Sequence, residues 1–381
     1  MSRLGELGGK LHRGEVAYDF VNRRKIWYLI SIVLLAISLG GVFGKGLNMG
    51  VEFEGGAVYT TPPTQATVEE VRSEAEDASG KEARVQRLGN DSLRITLTGL
   101  DTDTSNATRE ALAEGLGIEV SNLDAELVGP SWGEQMTDKA LTGMGIFLVL
   151  VTVYLAVTFE WRMALAALLA LLHDLVITIG VYALVGFEVT PGTVVGVLTI
   201  LGYSLYDTVV VFDKVSENTS RLGKDSRLTY SELANLGLNA TLVRSVNTSI
   251  VALLPVGALL FIGAGLLGGG MLKDIALSLF VGLAAGTYSS IVIATPLVVD
   301  FKRTDAKARV HDRKVLAKRA KSAALAAERG ARPDEDTPPA GEGADDEHAE
   351  AGDAAAESVP APATPARRAG GSASRGRSGR R

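Results

Sequence analysis

The sequence predicts an α-helical, polytopic membrane protein of six transmembrane helices, with an α+β domain inserted between the first two. Two observations support this fold class. Six apolar segments of the 381-residue chain are long enough to cross a bilayer and carry few charged residues or none. The stretch between the first two segments is polar and alternates between helical and strand patterns. Six segments of spanning length are too many for the core of an ordinary soluble domain, so their distribution decides the class.

The membrane region consists of one helix before the inserted domain and five after it. A bilayer core of about 30 Å requires about 20 apolar residues per helix. Such segments lie at 26–45 and, within 138–301, at about 140–159, 163–187, 189–212, 245–271 and 275–299. The first follows an N-terminal arm, residues 1–25, which ends in the basic cluster Arg23-Arg24-Lys25. Its apolar run is too long for a cleaved signal peptide and no A-x-A-like site follows, so we interpret it as an uncleaved signal anchor.

The positions of lysine and arginine predict the orientation. These residues are concentrated in the N-terminal arm, in the loop between spans 4 and 5, and after span 6, whereas the loop between spans 3 and 4 has none. Cytoplasmic loops of membrane proteins carry an excess of basic residues. Because six spans place both ends of the chain on one side, both termini are predicted to be cytoplasmic.

Residues 46–137 are then extracytoplasmic. Strand patterns lie at 57–61, 83–88, 93–98 and 125–128, and helical patterns lie at 66–78 and 106–115. Gly89-Asn90-Asp91, between the second and third strands, is typical of a turn. The order β-α-β-β-α-β is that of a ferredoxin-like split unit, which we predict for this domain.

Residues 302–381 change composition three times. Residues 302–332 carry 11 basic and 3 acidic residues, with an alanine-rich run able to form a juxtamembrane helix. Residues 333–359 carry ten acidic residues and no basic ones, and 367–381 hold six arginines. Such a segment buries too little apolar surface to offset its chain entropy, so we predict a cytoplasmic, disordered tail. Contact of its basic part with anionic lipid, nucleic acid or the ribosome is an alternative; we interpret it as solvated and predict no nucleic-acid partner.

The composition excludes several kinds of site. The chain has no cysteine, which excludes disulfides, thiolate metal sites and a cysteine nucleophile. Its four histidines lack the HExxH spacing of a zinc site. Gly263–Gly270 lacks the Gly-Lys-Ser/Thr of a phosphate-binding loop, and we interpret it as an external turn. We therefore predict that the chain holds no metal or cofactor and is not an enzyme.

Span 4 carries the most informative charged residue, Asp207. Tyr203, Ser204 and Thr208 share one helical face with it and form a polar stripe on an otherwise apolar helix. A charged side chain at the membrane centre costs roughly 2.5–3.5 kcal/mol by insertion scales. We therefore interpret Asp207 as functional, the default for an ionisable group inside a span.

Two further polar groups lie in spans 3 and 5. Span 5 begins with Arg244, and Asn247 and Thr248 share its face. Span 3 carries His173-Asp174. Arg244 is also consistent with a simple anchor that snorkels to the interface, and the His173-Asp174 pair with two residues that only satisfy each other between helices.

Asp207 and Arg244 together provide a physical basis for a proton relay. Desolvation favours a neutral carboxyl group, whereas a nearby guanidinium favours the charged form. A helix movement that changes water access or the contact between the two groups would therefore load or release a proton.

The chain resembles the SecF family of bacterial protein-export subunits over about residues 17–301. The matching motifs, in family order, are Gly46–Gly56, Val128–Ser131, Leu171–Thr178, Thr199–Asp213 and Leu242–Ser249. The family pattern Asp-Phe-Thr-Gly-Gly reads Glu52-Phe53-Glu54-Gly55-Gly56 here, and its usual Asn before the span-4 aspartate is Tyr206. We refer to Glu52, Gly55 and Gly56 as the external hinge motif.

The resemblance implies a function and a set of partners. It implies a SecD subunit of similar topology, attachment to the SecYEG channel in the bacterial cytoplasmic membrane, and contact with membrane lipid. It also implies that the proton-motive force pulls preproteins outward after the SecA ATPase has pushed them in. By position, Asp207 is implied to be the proton-relay aspartate and Arg244 its partner.

Two other functions remain open. Half of a proton-driven small-molecule or lipid exporter of the resistance-nodulation-division superfamily would need the same intramembrane charges. An inserted domain of about ninety residues leaves such an exporter little room for a substrate pocket. A purely structural scaffold is disfavoured because a scaffold has no use for a residue as costly as Asp207.

Overall fold

The computed structural model describes residues 18–220, 222, 227–266 and 271–330. Its helices are α1 Arg24–Lys45, α2 Val51–Glu54, α3 Val68–Ser79, α4 Thr102–Gly115, α5 Pro130–Thr158, α6 Trp161–Val185, α7 Pro191–Thr219, α8 Tyr230–Leu266, α9 Met271–Ser289, α10 Thr295–Lys302 and α11 Ala306–Gly330. Its strands are β1 Asn48–Met49, β2 Gly56–Thr60, β3 Ala83–Arg87, β4 Leu93–Thr98, β5 Asp124–Val128 and β6 Glu188–Val189. Among these residues, six helical segments are long and apolar enough to cross a membrane: α1, α5, α6, α7, α8, and α9 continued through the π-helical turn Ser290–Ala294 into α10. The chain is therefore a multi-pass membrane protein, as the sequence predicts.

Three of the spanning helices are longer than their apolar segments. α5 begins at Pro130 rather than near residue 140, α7 continues to Thr219 rather than 212, and α8 begins at Tyr230 rather than 245. Apolar composition marks the part of a helix within the hydrocarbon layer, whereas caps and prolines determine where it begins. Pro130 occupies the first turn of α5, where its missing N–H leaves no hydrogen bond unmade.

Four strands between α1 and α5 form an antiparallel sheet in the order β3-β4-β2-β5. Val58 at the centre of β2 lies opposite Thr96 of β4 and Glu126 of β5. α3 and α4 pack on one face, where Tyr59 and Leu112 are completely buried. The elements of this domain follow each other as β-α-β-β-α-β.

The helices of this domain start where side chains cap them. Thr67 and Glu70 form a capping box at the start of α3. The Asp101 carboxylate accepts a hydrogen bond from the Thr104 N–H at 2.8 Å. The predicted start of α4 at residue 106 is therefore wrong by four residues: the helix begins at Thr102, directly after its cap.

Small residues bring α9 close to α7. A Cβ atom on Gly196 would overlap the Ser278 hydroxyl, and one on Gly282 would lie 2.6 Å from the Ile200 side chain. Gly286, four residues after Gly282, would place its Cβ 3.0 Å from Ser204. Because these positions are glycine, the backbones approach closely, as is typical of small-xxx-small packing in membranes.

α11 packs against the start of α8, at the end of the bundle where the first span begins and the last span ends. The Asp312 carboxylate accepts a hydrogen bond from the Tyr230 N–H at 2.7 Å, and Arg319 donates to both oxygens of Glu232, at 2.9 and 2.8 Å. The predicted disorder of 302–381 is therefore wrong for 306–330, which form the helix that the sequence analysis also allowed for the alanine-rich run. The arm at 1–17, the turn at 267–270 and the tail at 331–381 lie outside the described residues.

Candidate functional site

Two aspartates of the spanning helices lie in the interior of the bundle. Asp174 on α6 is 2% exposed and Asp207 on α7 is 7% exposed. Within the described ranges, neither carboxylate forms an ion pair with a lysine or arginine. Serine hydroxyl groups from neighbouring helices contact both carboxylates instead.

Asp174 is held by three side chains. The hydroxyls of Ser204 on α7 and Ser289 on α9 donate to its Oδ2, at 2.5 and 2.8 Å. Nδ1 of His173 lies 3.2 Å from its Oδ1. The His173 ring stacks on Tyr288, with 6.0 Å between the ring centroids. The two adjacent residues therefore do contact each other, but the carboxylate also joins α6 to α7 and α9.

Asp207 is held by two serines. The hydroxyl of Ser245 on α8 donates to its Oδ1 at 2.8 Å, and that of Ser290 donates to its Oδ2 at 2.6 Å. Ser289 ends α9 and Ser290 begins the π-helical turn, so consecutive residues bond two different carboxylates. π-Helical turns inside α-helices occur frequently at functional sites. The two carboxylates and the serines bonded to them come from four spanning helices, and we refer to them together as the interior network.

The expected contact between Arg244 and Asp207 is wrong for this chain by itself. Arg244 is exposed, and its guanidinium lies 3.5 Å from the Tyr206 hydroxyl. The residue after it, Ser245, is buried and takes the position beside Asp207. A rotation of about 100° per residue along a helix explains this, because the face of α8 toward Asp207 starts one residue later than predicted.

The other predicted polar residues divide between the interior and the surface. Ser204 and Thr208 are buried with Asp207, and Tyr203 is partly buried. On α8, Asn247 is exposed and Thr248, partly buried, donates to the Arg244 carbonyl at 2.7 Å. The Arg244 face therefore does not reach the Asp207 carboxylate.

Sequence reasoning missed three serines of the network: Ser245, Ser289 and Ser290. A signal for two of them was available, because Ser289-Ser290 is a pair of adjacent hydroxyl residues in an uncharged span. Adjacent residues of an α-helix point about 100° apart, so they can reach two neighbouring helices. Ser245 was overlooked because the sequence reasoning gave more weight to the charged residue before it, Arg244.

The external hinge motif joins the inserted domain to α1. Gly55 and Gly56 have φ of +79° and +139°, conformations that favour glycine. Before the motif, the chain forms a parallel pair of short strands, in which Asn48 lies opposite Glu188 and Met49 opposite Val189. The strand that leads into the hinge motif is thus bound directly to the connection between α6 and α7.

An outer cavity of about 200 Å³ lies between the sheet and the ends of the spans, and Glu52, Arg84, Arg94, Glu188 and Asp274 line it. Burial raises the pKa of the Glu188 carboxyl, although Arg84, at 3.9 Å, acts in the opposite direction. Oε2 of Glu52 is buried and has no hydrogen-bond partner among the described residues. Among all the residues that the structure describes, no three His, Asp or Glu side chains are placed to hold a metal ion.

Two protein-family models match the chain. The model described as "Protein export membrane protein SecD/SecF, C-terminal" matches residues 108–304. The model described as "SecD/SecF GG Motif" matches residues 40–67, which include the external hinge motif. The two matches together include the five spanning helices after the inserted domain and the external hinge motif.

Named relatives and a solved structure agree with these matches. The protein translocase subunit SecF of Streptomyces coelicolor is 59% identical over 85% of this chain and 87% of its own length. That of Mycobacterium tuberculosis is 40% identical over 84% of this chain and 75% of its own length. The crystal structure of SecDF from Thermus thermophilus, named a translocon-associated membrane protein, superposes with a TM-score of 0.65 at 34% identity. This match covers 78% of the present chain and 41% of that one.

Proposed function

The chain belongs to the SecF family of protein translocase subunits, and on that premise we propose that it is an accessory subunit of protein export driven by the proton-motive force. Its part is mechanical rather than enzymatic: proton movement through the bundle changes the position of the external domain, which acts on the exported chain. The relatives with this name are translocase subunits, and they match most of the chain.

One observation carries the proton coupling: two buried carboxylates are each held by serine hydroxyls from neighbouring helices. The adjacent residues Ser289 and Ser290 bond one carboxylate each, Ser289 that of Asp174 and Ser290 that of Asp207. Buried carboxylates without a cation are costly unless they are protonated or well hydrogen-bonded. A serine hydroxyl both donates and accepts, so it serves either protonation state of the carboxyl group. The network therefore supports reversible proton uptake by Asp207.

Arg244 belongs to the second half of the proposal, in which the partner subunit completes the site. An arginine exposed on a spanning helix is costly in lipid, and such residues face a bundle interior or an aqueous cavity. SecD, whose topology is expected to be similar, provides this polar environment by covering the face of α8 that carries Arg244. In this assembly Arg244 lies at the boundary between the subunits, and helix movement there changes how strongly it favours the charged form of a nearby carboxylate.

The external domain transmits the movement. We assign it as a ferredoxin-like domain on the outer side of the bacterial cytoplasmic membrane, with both chain termini in the cytoplasm. Its connection to the bundle passes through Glu52, Gly55 and Gly56 and through the strand pair that binds β1 to β6. At about 200 Å³ the outer cavity is smaller than the sites of about 300–1,000 Å³ that usually bind small molecules, which favours a preprotein held at the surface over a pumped small molecule.

The proposal includes the remaining partners of export. SecYEG provides the channel, SecA drives preprotein entry with ATP, and this subunit with SecD acts at the outer side after entry. Because SecA drives entry and this subunit acts only afterwards, SecA-driven entry is expected to be independent of Asp207.

The test is release of a preprotein from reconstituted vesicles that contain SecYEG, SecA, SecD and this chain, with and without an imposed proton gradient. Asp207→Asn and Arg244→Met are each expected to lose gradient-dependent release, and the double variant to lose little more because both affect one relay. Asp213→Asn, a matched change at an exposed position of α7, is expected to retain it. ATP-driven entry is expected to survive in all variants. Full gradient-dependent release by a correctly inserted Asp207→Asn chain would contradict the proposal.

A further inference from the structure

A groove runs along α11 where that helix passes the connection between α5 and α6. Its volume is about 1220 Å³, and its walls include Trp161, Leu222 and Tyr230 on one side and Val310, Lys314 and Lys318 on the other. Ligand sites in proteins commonly have volumes of about 300–1,000 Å³, so the groove has room for a lipid headgroup with part of its acyl chains.

One wall of the groove is a stripe of three lysines. Lys307, Lys314 and Lys318 lie seven and four residues apart, so they project from one side of α11. All three are exposed, and none of them forms an ion pair with any residue the structure describes. Arg319 on the same helix, by contrast, pairs with Glu232.

The acidic groups beside the groove are neutralised by cations of their own. The Glu160 carboxylate pairs with Lys302, and the Asp305 carboxylate lies 2.6 Å from a guanidinium nitrogen of Arg162. Among the described residues that line the groove, no acidic group therefore remains to neutralise the stripe of lysines. It presents a positive surface to a ligand that enters the groove.

The position of the groove relates this charge to the membrane. Glu160 and Trp161 connect the ends of two spanning helices, and the Trp161 ring is exposed, with the Arg162 guanidinium 4.9 Å from the ring centroid. Tryptophan is enriched at the membrane–water boundary, where its ring lies among headgroups. Val310, also exposed, adds an apolar surface between the lysines.

We propose that this groove binds an anionic phospholipid. The lysines of α11 contact the phosphate, and Trp161, Leu222 and Val310 contact the glycerol and the first part of the acyl chains. Basic pockets between spanning helices and clusters of basic residues next to a span are known physical means of holding anionic headgroups. A nucleic acid or an acidic peptide would use the charge alone and leave the apolar walls of the groove without a role. The inference depends on the membrane location of the chain and not on the proposed proton coupling.

The test uses the purified full chain in neutral detergent, titrated with dioleoylphosphatidylglycerol or dioleoylphosphatidylcholine, with bound lipid counted by native mass spectrometry. The anionic lipid is expected to bind more tightly. Lys314→Gln combined with Lys318→Gln is expected to weaken it roughly thirtyfold, because each basic residue near an anionic membrane surface contributes about fivefold. The matched control is Arg309→Gln with Arg313→Gln, which removes the same charge from the other side of α11 and is expected to change binding less than about twofold.

Every alternative outcome counts against the proposal. Equal binding of the two lipids, or equal losses in the two double variants, would show that the groove does not recognise the headgroup. Tighter binding of soluble glycerol phosphate, of an RNA oligonucleotide or of an acidic peptide at the same lysines would assign the stripe to another ligand. Normal size-exclusion profiles for both double variants distinguish loss of the site from loss of the fold.

Discussion

Gly56→Ala is predicted to destabilise the pairing of β2 with β4 much more than a comparable substitution elsewhere in the domain. The φ of Gly56 is +139°, and a Cβ atom there would overlap the Leu97 carbonyl oxygen and lie 2.9 Å from the Thr98 Cα. Both obstacles are backbone atoms of a paired strand, so neither can rotate away. Only a shift of β2 relative to β4 can accommodate the methyl group.

The expected magnitude follows from two contributions. An alanine in a backbone region reserved for glycine costs on the order of 1–3 kcal/mol. An added methyl group in a closely packed site costs about 1–3 kcal/mol more. Gly80→Ala is the matched control, because Gly80 has a φ of +65° and a Cβ atom there would have no other atom within 4 Å, so only backbone strain applies. We expect a loss of about 3–5 kcal/mol for Gly56→Ala and about 1 kcal/mol for Gly80→Ala.

Hydrogen exchange of the full chain measures this difference. The amides of Val58 and Leu97, in the two paired strands, should exchange at least about a hundredfold faster in Gly56→Ala and less than about tenfold faster in Gly80→Ala. Similar acceleration in both variants would refute the reasoning, because it would show that the approach of Gly56 to β4 adds nothing to its φ.

Two further predictions concern other groups. Ser290→Ala is expected to lower the free energy of unfolding by about 1.5–3 kcal/mol, because it removes a donor to a buried carboxylate. Ser249→Ala, whose hydroxyl donates to the carbonyl of Ser245 on its own helix and bonds no carboxylate among the described residues, is expected to cost less than about 1 kcal/mol; thermal unfolding in detergent compares them, and equal losses would contradict the assignment. The raised pKa of Glu188 means that the folded chain binds its proton more tightly, so its contribution to stability is present at low pH and is lost as the pH rises from the ordinary value of 4.5 through the raised pKa. Glu188→Gln should remove that part of the pH dependence of unfolding, and an unchanged profile would contradict it.

The sequence is sufficient to predict the class of protein, because a bilayer imposes a length on every spanning helix. The alternating patterns of the inserted domain likewise correspond to observed strands, with β4 at the predicted residues Leu93–Thr98. The ends of the helices are less predictable from apolar content. Pro130 and Asp101 determine two of them through local backbone and capping interactions that lie outside the apolar periodicity.

The interior network is predictable in its charges but not in its hydroxyls. Asp174 and Asp207 stand out in the sequence because a carboxylate in an apolar span is energetically costly and usually has a function. Serine is common in spanning helices and costs little free energy there, so its presence alone does not indicate a function. The role of Ser289 and Ser290 becomes visible only in the structure, where the packing of α9 brings them to the two carboxylates. Which face of α8 carries Arg244 depends on the rotation of that helix about its axis. The faces of α8 differ little in hydrophobicity, so the sequence does not determine this rotation.

The central claim is that Asp207 takes up and releases a proton within the bundle. Infrared difference spectroscopy of the membrane-embedded assembly with SecD, recorded as the external pH is changed, observes the C=O stretch of protonated carboxyl groups directly. The account predicts a carboxyl band that appears and disappears reversibly, is absent in Asp207→Asn, and persists in the Asp213→Asn control. A band that is unchanged in Asp207→Asn, in a chain shown to be inserted and assembled, would contradict it.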